Sequence, residues 1–311
     1  MKNIVVVGGA NIDIVAFPDG ELRAHDSAPG HSSVTFGGVG RNIAENLVMM
    51  GCRVRFVTVF GNDSFSRTMK ADIMDKGIDI SLSRTIHGAP CSKYICLNSH
   101  EGELVAAIND MSVYDHMGEA INAESIAAMN EADMVVLDAN TTAPDLERIV
   151  SACTTPIAFD AVSLSKVSRC SSILNRIFLF KPNIYEAEEL LKEELAASGS
   201  TELSLRERAG LYAGLLRKKG VENVMISMGA DGVYYENESE SGIMPSMVTK
   251  VVNTSGCGDA FLAGAIRAHL EGGSINAMAR YGSAAAAICA ESDTTVSRRI
   301  SMERLNAIVN R

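Results

Sequence analysis

The stretch that does most to decide the fold of this chain is residues 253–264, with the sequence NTSGCGDAFLAG. Gly256 and Gly258 stand one residue apart and lead directly into a run of small, helix-forming residues. This pattern predicts a helix whose first backbone N–H groups are exposed, where the helix dipole favours a bound anion. Asp259 falls in the first turn, where it either stabilises the helix start or acts as a base beside the anion. Phe261 replaces the third glycine of the dinucleotide fingerprint, and no Gly-Lys-Ser/Thr follows as in a Walker A loop.

Two segments nearer the N-terminus carry candidate substrate-binding residues. Gly37, Gly38 and a third glycine precede Asn42 and a predicted helix, so the backbone there admits the close approach of a small ligand. Asn42 either caps that helix or hydrogen-bonds to paired hydroxyl groups. Asn11 and Asp13 follow the first predicted strand. An amide and a carboxylate at a strand end suit a vicinal diol, and they are equally typical of turns.

A fourth segment, from Lys181 to Glu186, combines a strand end with a helix start. Pro182 ends the preceding strand and Asn183 caps the helix that follows, with Glu186 at the capping-box position. The alternative is that Asn183 and Glu186 organise the water ligands of Mg²⁺ near a phosphate, because hard cations require oxygen ligands.

Short apolar runs alternate with helical stretches over much of the chain. Such alternation predicts right-handed crossovers and a parallel sheet, in which ligands bind beyond the carboxyl ends of the strands. Polar residues follow several runs, Asp138 and Asp160 among them. Residues 17–33 and 85–108 are polar or alternating, and they predict a small exposed β-sheet that leaves the main body and returns. The runs are Ile4 to Val7, Met134 to Asp138, Ile157 to Asp160, Ile177 to Phe180 and Val224 to Ser227.

Composition argues against several classes of protein. A chain of 311 residues that is 47% hydrophobic is long enough to bury a large core. A formal net charge of −10 argues against a nucleic-acid partner, because phosphate backbones require a basic face. The seven cysteines form no C-x-x-C pair, which predicts reduced thiols in a cytoplasmic protein without a zinc site. No run of 18 apolar residues occurs, so we expect no membrane span.

Together these motifs resemble those of the ribokinase-like (PfkB) carbohydrate kinases. The glycine pair with Asn42, the Asn183-x-x-Glu186 motif and Gly256-x-Gly258-Asp259 occur in the family's order over essentially the whole chain. The resemblance implies an α/β three-layer sandwich with a central, mostly parallel sheet and a small β-sheet lid. The ranges that we assign are 1–13, 34–86 and 112–311 for the core, and 14–33 and 87–111 for the lid.

The resemblance also implies a kinase that uses ATP and Mg²⁺ and has Asp259 as its catalytic base. Asn253 stands where the family more usually has aspartate, and Ser255-Gly256-Cys257 replaces Thr-Gly-Ala. The sequence therefore leaves undecided whether this chain keeps the family's K⁺ site. The implied residues are, for the anion hole, Gly256, Cys257 and Gly258; for the sugar, Asn11, Asp13, Gly37, Gly38 and Asn42; for the nucleotide, Asn183, Ser227, Gly229 and Thr254; and for Mg²⁺ through water, Glu186.

Three stretches, residues 37–44, 107–111 and 227–235, resemble the bacterial pseudouridine kinases within that family. By this resemblance the stretch 107–111 falls where the lid returns over the sugar. Asn109 is therefore expected to face the nucleobase. The sequence thus predicts phosphorylation of the 5′-hydroxyl of pseudouridine by a homodimer that associates through its lid. The alternatives are a kinase for ribose, inosine, guanosine or adenosine, a non-catalytic sugar- or nucleotide-binding regulator, and a dinucleotide-dependent oxidoreductase.

Overall fold

The computed structural model describes residues 1–23, 25–198 and 203–310; residues 24, 199–202 and 311 of the predicted lid and core lie outside the described part. The strands are β1 Asn3–Val7, β2 Asn11–Pro18, β3 Gly30–Gly37, β4 Arg53–Val57, β5 Val59–Phe60, β6 Arg84–Thr85, β7 Lys93–Asn98, β8 Leu104–Asp110, β9 Met134–Asp138, β10 Ile157–Asp160, β11 Leu179–Phe180, β12 Asn223–Ser227, β13 Val233–Glu236 and β14 Ser241–Met244.

The helices account for most of the remaining chain. They are α1 Val39–Met49, α2 Ser64–Asp75, α3 Met117–Ala120, α4 Ala123–Asn130, α5 Ala143–Ala152, α6 Ile184–Leu190, α7 Lys192–Ser198, α8 Leu205–Lys218, α9 Cys257–Leu270, α10 Ile275–Ala290 and α11 Met302–Val309, with 3-10 helices at Ser112–His116, Val167–Arg176 and Gly229–Asp231. None of the helices in the described ranges is both long and apolar enough to cross a membrane.

The main sheet has eight strands in the order β14-β13-β12-β11-β10-β9-β1-β4. All neighbours are parallel except β13, which runs antiparallel to both β12 and β14. The strands from β4 to β12 are joined through helices, as right-handed crossovers require. Their carboxyl ends therefore meet at one edge, and the predicted mostly parallel α/β fold is confirmed.

Helices cover both faces of this sheet. In β1, Ile4 and Val6 point into one apolar cluster, while Val5 and Val7 point into the other. Alternate residues of a strand face opposite sides, so an all-apolar strand is buried on both. Helices α1, α9 and α10 pack on the first face and α5 and α8 on the second, which gives three layers.

A separate four-stranded sheet, in the order β3-β2-β7-β8, forms the predicted small β-sheet. We call it the lid. Strand β2 pairs antiparallel with β3 and parallel with β7, which in turn pairs antiparallel with β8. Most side chains of β3 and β8 are exposed. The assigned lid ranges stay a prediction; strands β2 and β3 each extend a few residues into the assigned core ranges.

Candidate active site

The site is built where the carboxyl ends of β1, β9 and β10 meet the first turns of α1 and α9. The link between β1 and β2, residues 8–10, lies directly on Asp138. A Cβ atom added to Gly8 would stand 2.3 Å from the Asp138 Oδ2 atom, so a side chain there would displace the Asp138 carboxylate. Asp138 Oδ2 accepts hydrogen bonds from the amides of Gly9 and Gly40, both at 2.9 Å. Burial raises the pKa of Asp138 to about 6.

Asp259 lies in the first turn of α9, behind an N-cap glycine. Gly256 has φ 82°, in the left-handed region, and a Cβ there would lie 1.9 Å from the Thr295 carbonyl oxygen. Any other residue would therefore displace the loop before the helix. The Cys257 amide donates to Thr254 O at 3.3 Å, whereas the amides of Gly258 and Asp259 have no acceptor in the described part of the chain. The open amides suit an anion.

The Asp259 carboxylate is buried and joins the two helix starts. Its Oδ2 accepts a hydrogen bond of 2.8 Å from Asn42 Nδ2, across 217 positions of sequence. Burial raises the pKa of Asp259 to about 8, and the nearby Asp160 carboxylate adds to the shift, while Asn42 and Lys181 oppose it. A carboxyl group with a pKa near neutrality is suited to accept a proton from a hydroxyl group.

Asn42 is itself held by a buried charge network. Its Oδ1 accepts from Arg41 Nη1 at 3.1 Å, and Arg41 Nη2 contacts Glu45 at 2.9 Å and Asp72 at 3.1 Å. Lys76 completes the network with contacts of 2.8 Å to Glu45 and 3.2 Å to Asp72. Two cations and two carboxylates balance in charge. The network fixes the side chain that touches Asp259.

The Asp13 carboxylate of β2 lies against the glycines that precede α1. The Asn11 side-chain amide donates to Asp13 Oδ1, and burial raises the pKa of Asp13 to about 6. A Cβ at Gly37 would lie 2.2 Å from Asp13 Oδ2. Gly38 has φ 99°, and a Cβ there would lie 2.5 Å from Gly9 O. These glycines let β2 and β3 close against the start of α1. Asn11, Asp13, Gly37, Gly38 and Asn42 are therefore brought together.

Asn183 and Glu186 form a reciprocal cap at the start of α6. Asn183 Oδ1 accepts from the amides of Tyr185 and Glu186 at 3.0 and 2.9 Å, and Glu186 Oε2 accepts from the Asn183 amide at 2.8 Å. Asn183 also pairs with Ser227 as an isolated β-bridge. Gly229 has φ 63° with open space in front of it. Within the described residues, no cluster of three acidic, cysteine or histidine side chains is placed to hold a metal ion.

Asn109 lies apart from the buried groups, on the exposed edge strand of the lid. In the lid register Asp13 pairs with Tyr94, and Tyr94 pairs with Asn109. Side chains that are paired across neighbouring strands project from the same face. Asn109 thus shares a face with Asp13, two strands away.

Sequence patterns gave no role to several residues at the carboxyl edge of the main sheet. Lys181 and Asp160 are both buried, with 3.9 Å between Lys181 Nζ and Asp160 Oδ2. A Cβ at Gly258 would lie 3.3 Å from Lys181 Nζ, so this cation stands beside the open amides. The position of Asp160 after a strand was a usable signal. Arg41 gave none, because its partners come from α1 and α2.

Residues 1–299 match the family model described as pfkB family carbohydrate kinase. The chain belongs to this family. It is 34% identical over 275 residues to the pseudouridine kinase of Escherichia coli strain K12, which covers 86% of this chain and 84% of that protein. It is 27% identical over 293 residues to the ribokinase of Haemophilus influenzae strain Rd, with 92% of each chain covered.

The fold agrees with this assignment. The structure of Arabidopsis thaliana ribokinase complexed with ribose and ATP superposes with a TM-score of 0.87 at 19% identity, over 100% of this chain and 99% of that chain. The predicted ribokinase-like architecture is confirmed. The pfkB kinase is thus a phosphotransferase that acts on a hydroxyl group.

Proposed function

We propose that this pfkB kinase transfers the γ-phosphate of ATP to the 5′-hydroxyl group of pseudouridine. The observation that carries the proposal is the 2.8 Å contact between Asp259 and Asn42. It joins a buried carboxylate at an open helix start to the cluster that contains Asp13. The choice of nucleoside rests on the similarity to the E. coli pseudouridine kinase and on the stretches around Asn42, Asn109 and Ser227.

In the proposed reaction Asp259 accepts the proton of the 5′-hydroxyl group while the 5′-oxygen forms a bond to the γ-phosphorus. The bond between that phosphorus and the oxygen that bridges it to the β-phosphate breaks, and ADP leaves. Such transfers depend mainly on positioning and charge stabilisation. Asp13 and Asn42 hold the ribose hydroxyl groups. The amides of the Gly256–Gly258 loop and the first turn of α9 stabilise charge on the transferred group, as in an oxyanion hole. The lid excludes water, a competing acceptor.

The nucleotide would lie along the α6 and β12 side of α9. The residues there that we assign to it are Asn183, Ser227, Gly229 and Thr254. The oxygens that cap α6 are committed to amides, so direct coordination of Mg²⁺ by them would break the cap. Glu186 would instead contact Mg²⁺ through water, which suits an ion that keeps part of its hydration shell. When bound, Mg²⁺ would offset negative charge on the phosphate oxygens.

Use of K⁺ in the reaction depends on the loop around Asn253. Asn253 lacks the charge of an aspartate, and its Oδ1 accepts from the Ser255 amide at 2.9 Å. Assays in K⁺, Na⁺ and Tris buffers decide this point. A rate that is independent of the cation would remove K⁺ from the mechanism.

The lid would also form a homodimer interface. Ile14 pairs with both Val34 and Ile95, and Ile95 pairs with Ile108, so these four side chains form one apolar row on the face away from Asp13. Val34 and Ile108 are 52% and 66% exposed. Exposed apolar patches mark interaction surfaces. Sedimentation of wild type and Ile108→Asp tests this, because a wild-type monomer would overturn it.

The decisive experiment is a coupled ADP-release assay with pseudouridine, uridine, ribose, inosine, guanosine and adenosine. We expect the highest kcat/KM for pseudouridine. A higher value for ribose or a purine nucleoside would replace pseudouridine by that acceptor and leave the kinase assignment intact. Absence of ADP release with every acceptor would instead favour a binding protein without catalysis.

The role of Asn109 is tested within the same assay. Pseudouridine presents a ring N–H that uridine lacks, and an amide oxygen on the Asp13 face of the lid could accept from it. Loss of such a hydrogen bond weakens discrimination strongly. Asn109→Ala should therefore lower the ratio of pseudouridine to uridine activity with little effect on the ATP KM. An unchanged ratio would show that Asn109 does not contact the base.

A further inference from the structure

Lys166 is a half-buried cation at the carboxyl edge of the main sheet that has no role in the reaction described above. Its Nζ donates to Asn140 Oδ1 at 2.7 Å. None of the ion pairs among the described residues includes it, and burial lowers its pKa. An ammonium group has three donors, and a neutral amide satisfies one of them. Lys166 thus retains donors, and the Asp138 carboxylate offsets its charge only from beyond ion-pair distance.

Asn140 places this cation next to the link between β1 and β2, which leads to Asn11 and Asp13. Asn140 follows β9 and is buried, and its backbone N–H donates to Asp138 Oδ1 at 2.8 Å. A Cβ at Gly9 would lie 2.5 Å from Asn140 Nδ2, so Asn140 packs on the link that leads two residues later to Asn11. Lys181, in contrast, stands beside Gly258 and the open amides of α9. The two lysines therefore lie in different parts of the candidate site.

The segment that carries Lys166 is held in an unfavourable backbone conformation. Val162 has φ 64°, which is rare for a β-branched residue, and its amide donates to Asp160 Oδ1 at 2.8 Å. Strain of this kind persists only where the surroundings enforce it, and it concentrates at functional sites. Arg169 anchors the same segment by donating to the carbonyl oxygens of Ala139 and Asn140 at 2.8 and 3.2 Å.

The geometry points to Lys166 as a nucleobase-binding residue: we propose that its ammonium group donates a hydrogen bond to the base carbonyl oxygen that flanks the glycosidic bond. Uridine and pseudouridine both carry such an oxygen, and ribose has none. Lys166 would then select pyrimidine nucleosides over the free sugar, while Asn109 distinguishes between the two nucleosides. The inference rests on the proposed function only in requiring an acceptor that carries a pyrimidine base.

The test compares Lys166→Met, which keeps the aliphatic stem, and Lys166→Arg with the control Lys192→Met. Lys192 is exposed on α7 and pairs with Glu189. Steady-state kinetics give kcat and KM for pseudouridine, uridine, inosine and ATP. Ribose is titrated as a competitive inhibitor, so its affinity is obtained whether or not it is phosphorylated. Thermal melting shows whether each variant is folded.

We expect Lys166→Met to lower kcat/KM for pseudouridine and uridine about 10- to 100-fold, mainly through KM, whereas the value for inosine, which has no carbonyl oxygen beside its glycosidic bond, should change less than about three-fold. The ribose inhibition constant and the ATP KM should change less than about three-fold, and Lys166→Arg should recover part of the loss. An equal loss for the pyrimidine nucleosides and for ribose or inosine, or no loss, would overturn the inference. A wild type that prefers uridine would overturn the pseudouridine assignment alone, and Lys166 is then judged on uridine. Phosphorylation of ribose only would overturn both.

Discussion

Two helices of this protein start with a glycine in the left-handed region, and their first amides have different partners. Helix α1 follows Gly38, and its Gly40 amide donates to the protein's own carboxylate, Asp138, at 2.9 Å. Helix α9 follows Gly256, and the amides of Gly258 and Asp259 donate to no acceptor in the described ranges. Similar sequence patterns thus build one closed helix start and one open one. The closed start organises the sheet edge, and the open start remains available to a ligand.

Removing the charge at the open helix start should have the largest effect. Asp259→Asn keeps the shape of the side chain and removes the base, so kcat should fall by ~10²–10⁴-fold while ATP-analogue affinity persists. Asp145 occupies the same first-turn position of α5, and Asp145→Asn is the matched control. A kcat near that of wild type would mean that Asp259 only stabilises the helix start.

Loss of the Asp13 carboxylate should have the second-largest effect. Asp13→Ala leaves two substrate hydroxyl groups without an acceptor, at a cost of ~1–3 kcal/mol in nucleoside affinity. Calorimetry should show an unchanged affinity for an ATP analogue. Asp19→Ala, an exposed change at the end of β2, is the control. An equal loss for both ligands would place Asp13 outside the sugar site or indicate a folding defect.

Neutralising the carboxylate at the closed helix start should weaken folding more than chemistry. Asp138 accepts three amide hydrogen bonds through its two oxygens, and an asparagine offers only one oxygen to them. Asp138→Asn should therefore lower the free energy of unfolding by about 1–3 kcal/mol. Asp133→Asn, which alters an exposed acceptor of one amide, is the comparison. Unchanged denaturant midpoints for both variants would contradict a structural role.

The raised pKa values predict that activity and stability respond to pH in opposite directions. A base with a pKa of about 8 is mostly protonated at pH 7, so kcat/KM should rise about five-fold from pH 7 to pH 8. A carboxyl group whose folded pKa exceeds its unfolded value stabilises the protein at low pH, and this stability is lost as pH rises through the folded pKa. Burial raises the pKa of Asp138 and Asp259, so the melting temperature should fall between pH 5 and pH 9.

Asp259→Asn provides the control for both pH profiles. Its melting temperature should lose the part of the pH dependence that lies near pH 8, and its residual kcat/KM should no longer rise there. Parallel pH profiles for the variant and wild type would assign the titration to another group.

The sequence by itself determined the parts of this protein that local patterns encode. Strand–helix alternation gave the parallel sheet, because an all-apolar strand followed by an amphipathic helix packs in only one way. Spaced glycines before α1 and α9 gave the two helix starts, since the left-handed φ at Gly38 and Gly256 and the close backbone contacts there exclude side chains. The glycine, asparagine and aspartate motifs, in order, gave the family.

Only the tertiary structure decided which groups meet. Asn42 and Asp259 are 217 positions apart, and nothing in either local pattern predicts that they share a hydrogen bond. That Asp138 closes one helix start, and that Lys166 reaches Asn140, follows from strand order in the sheet. The pKa of Asp259 depends on burial and on Asp160, which are properties of the folded surroundings. Local sequence sets backbone conformation, whereas charge, burial and partner depend on long-range packing.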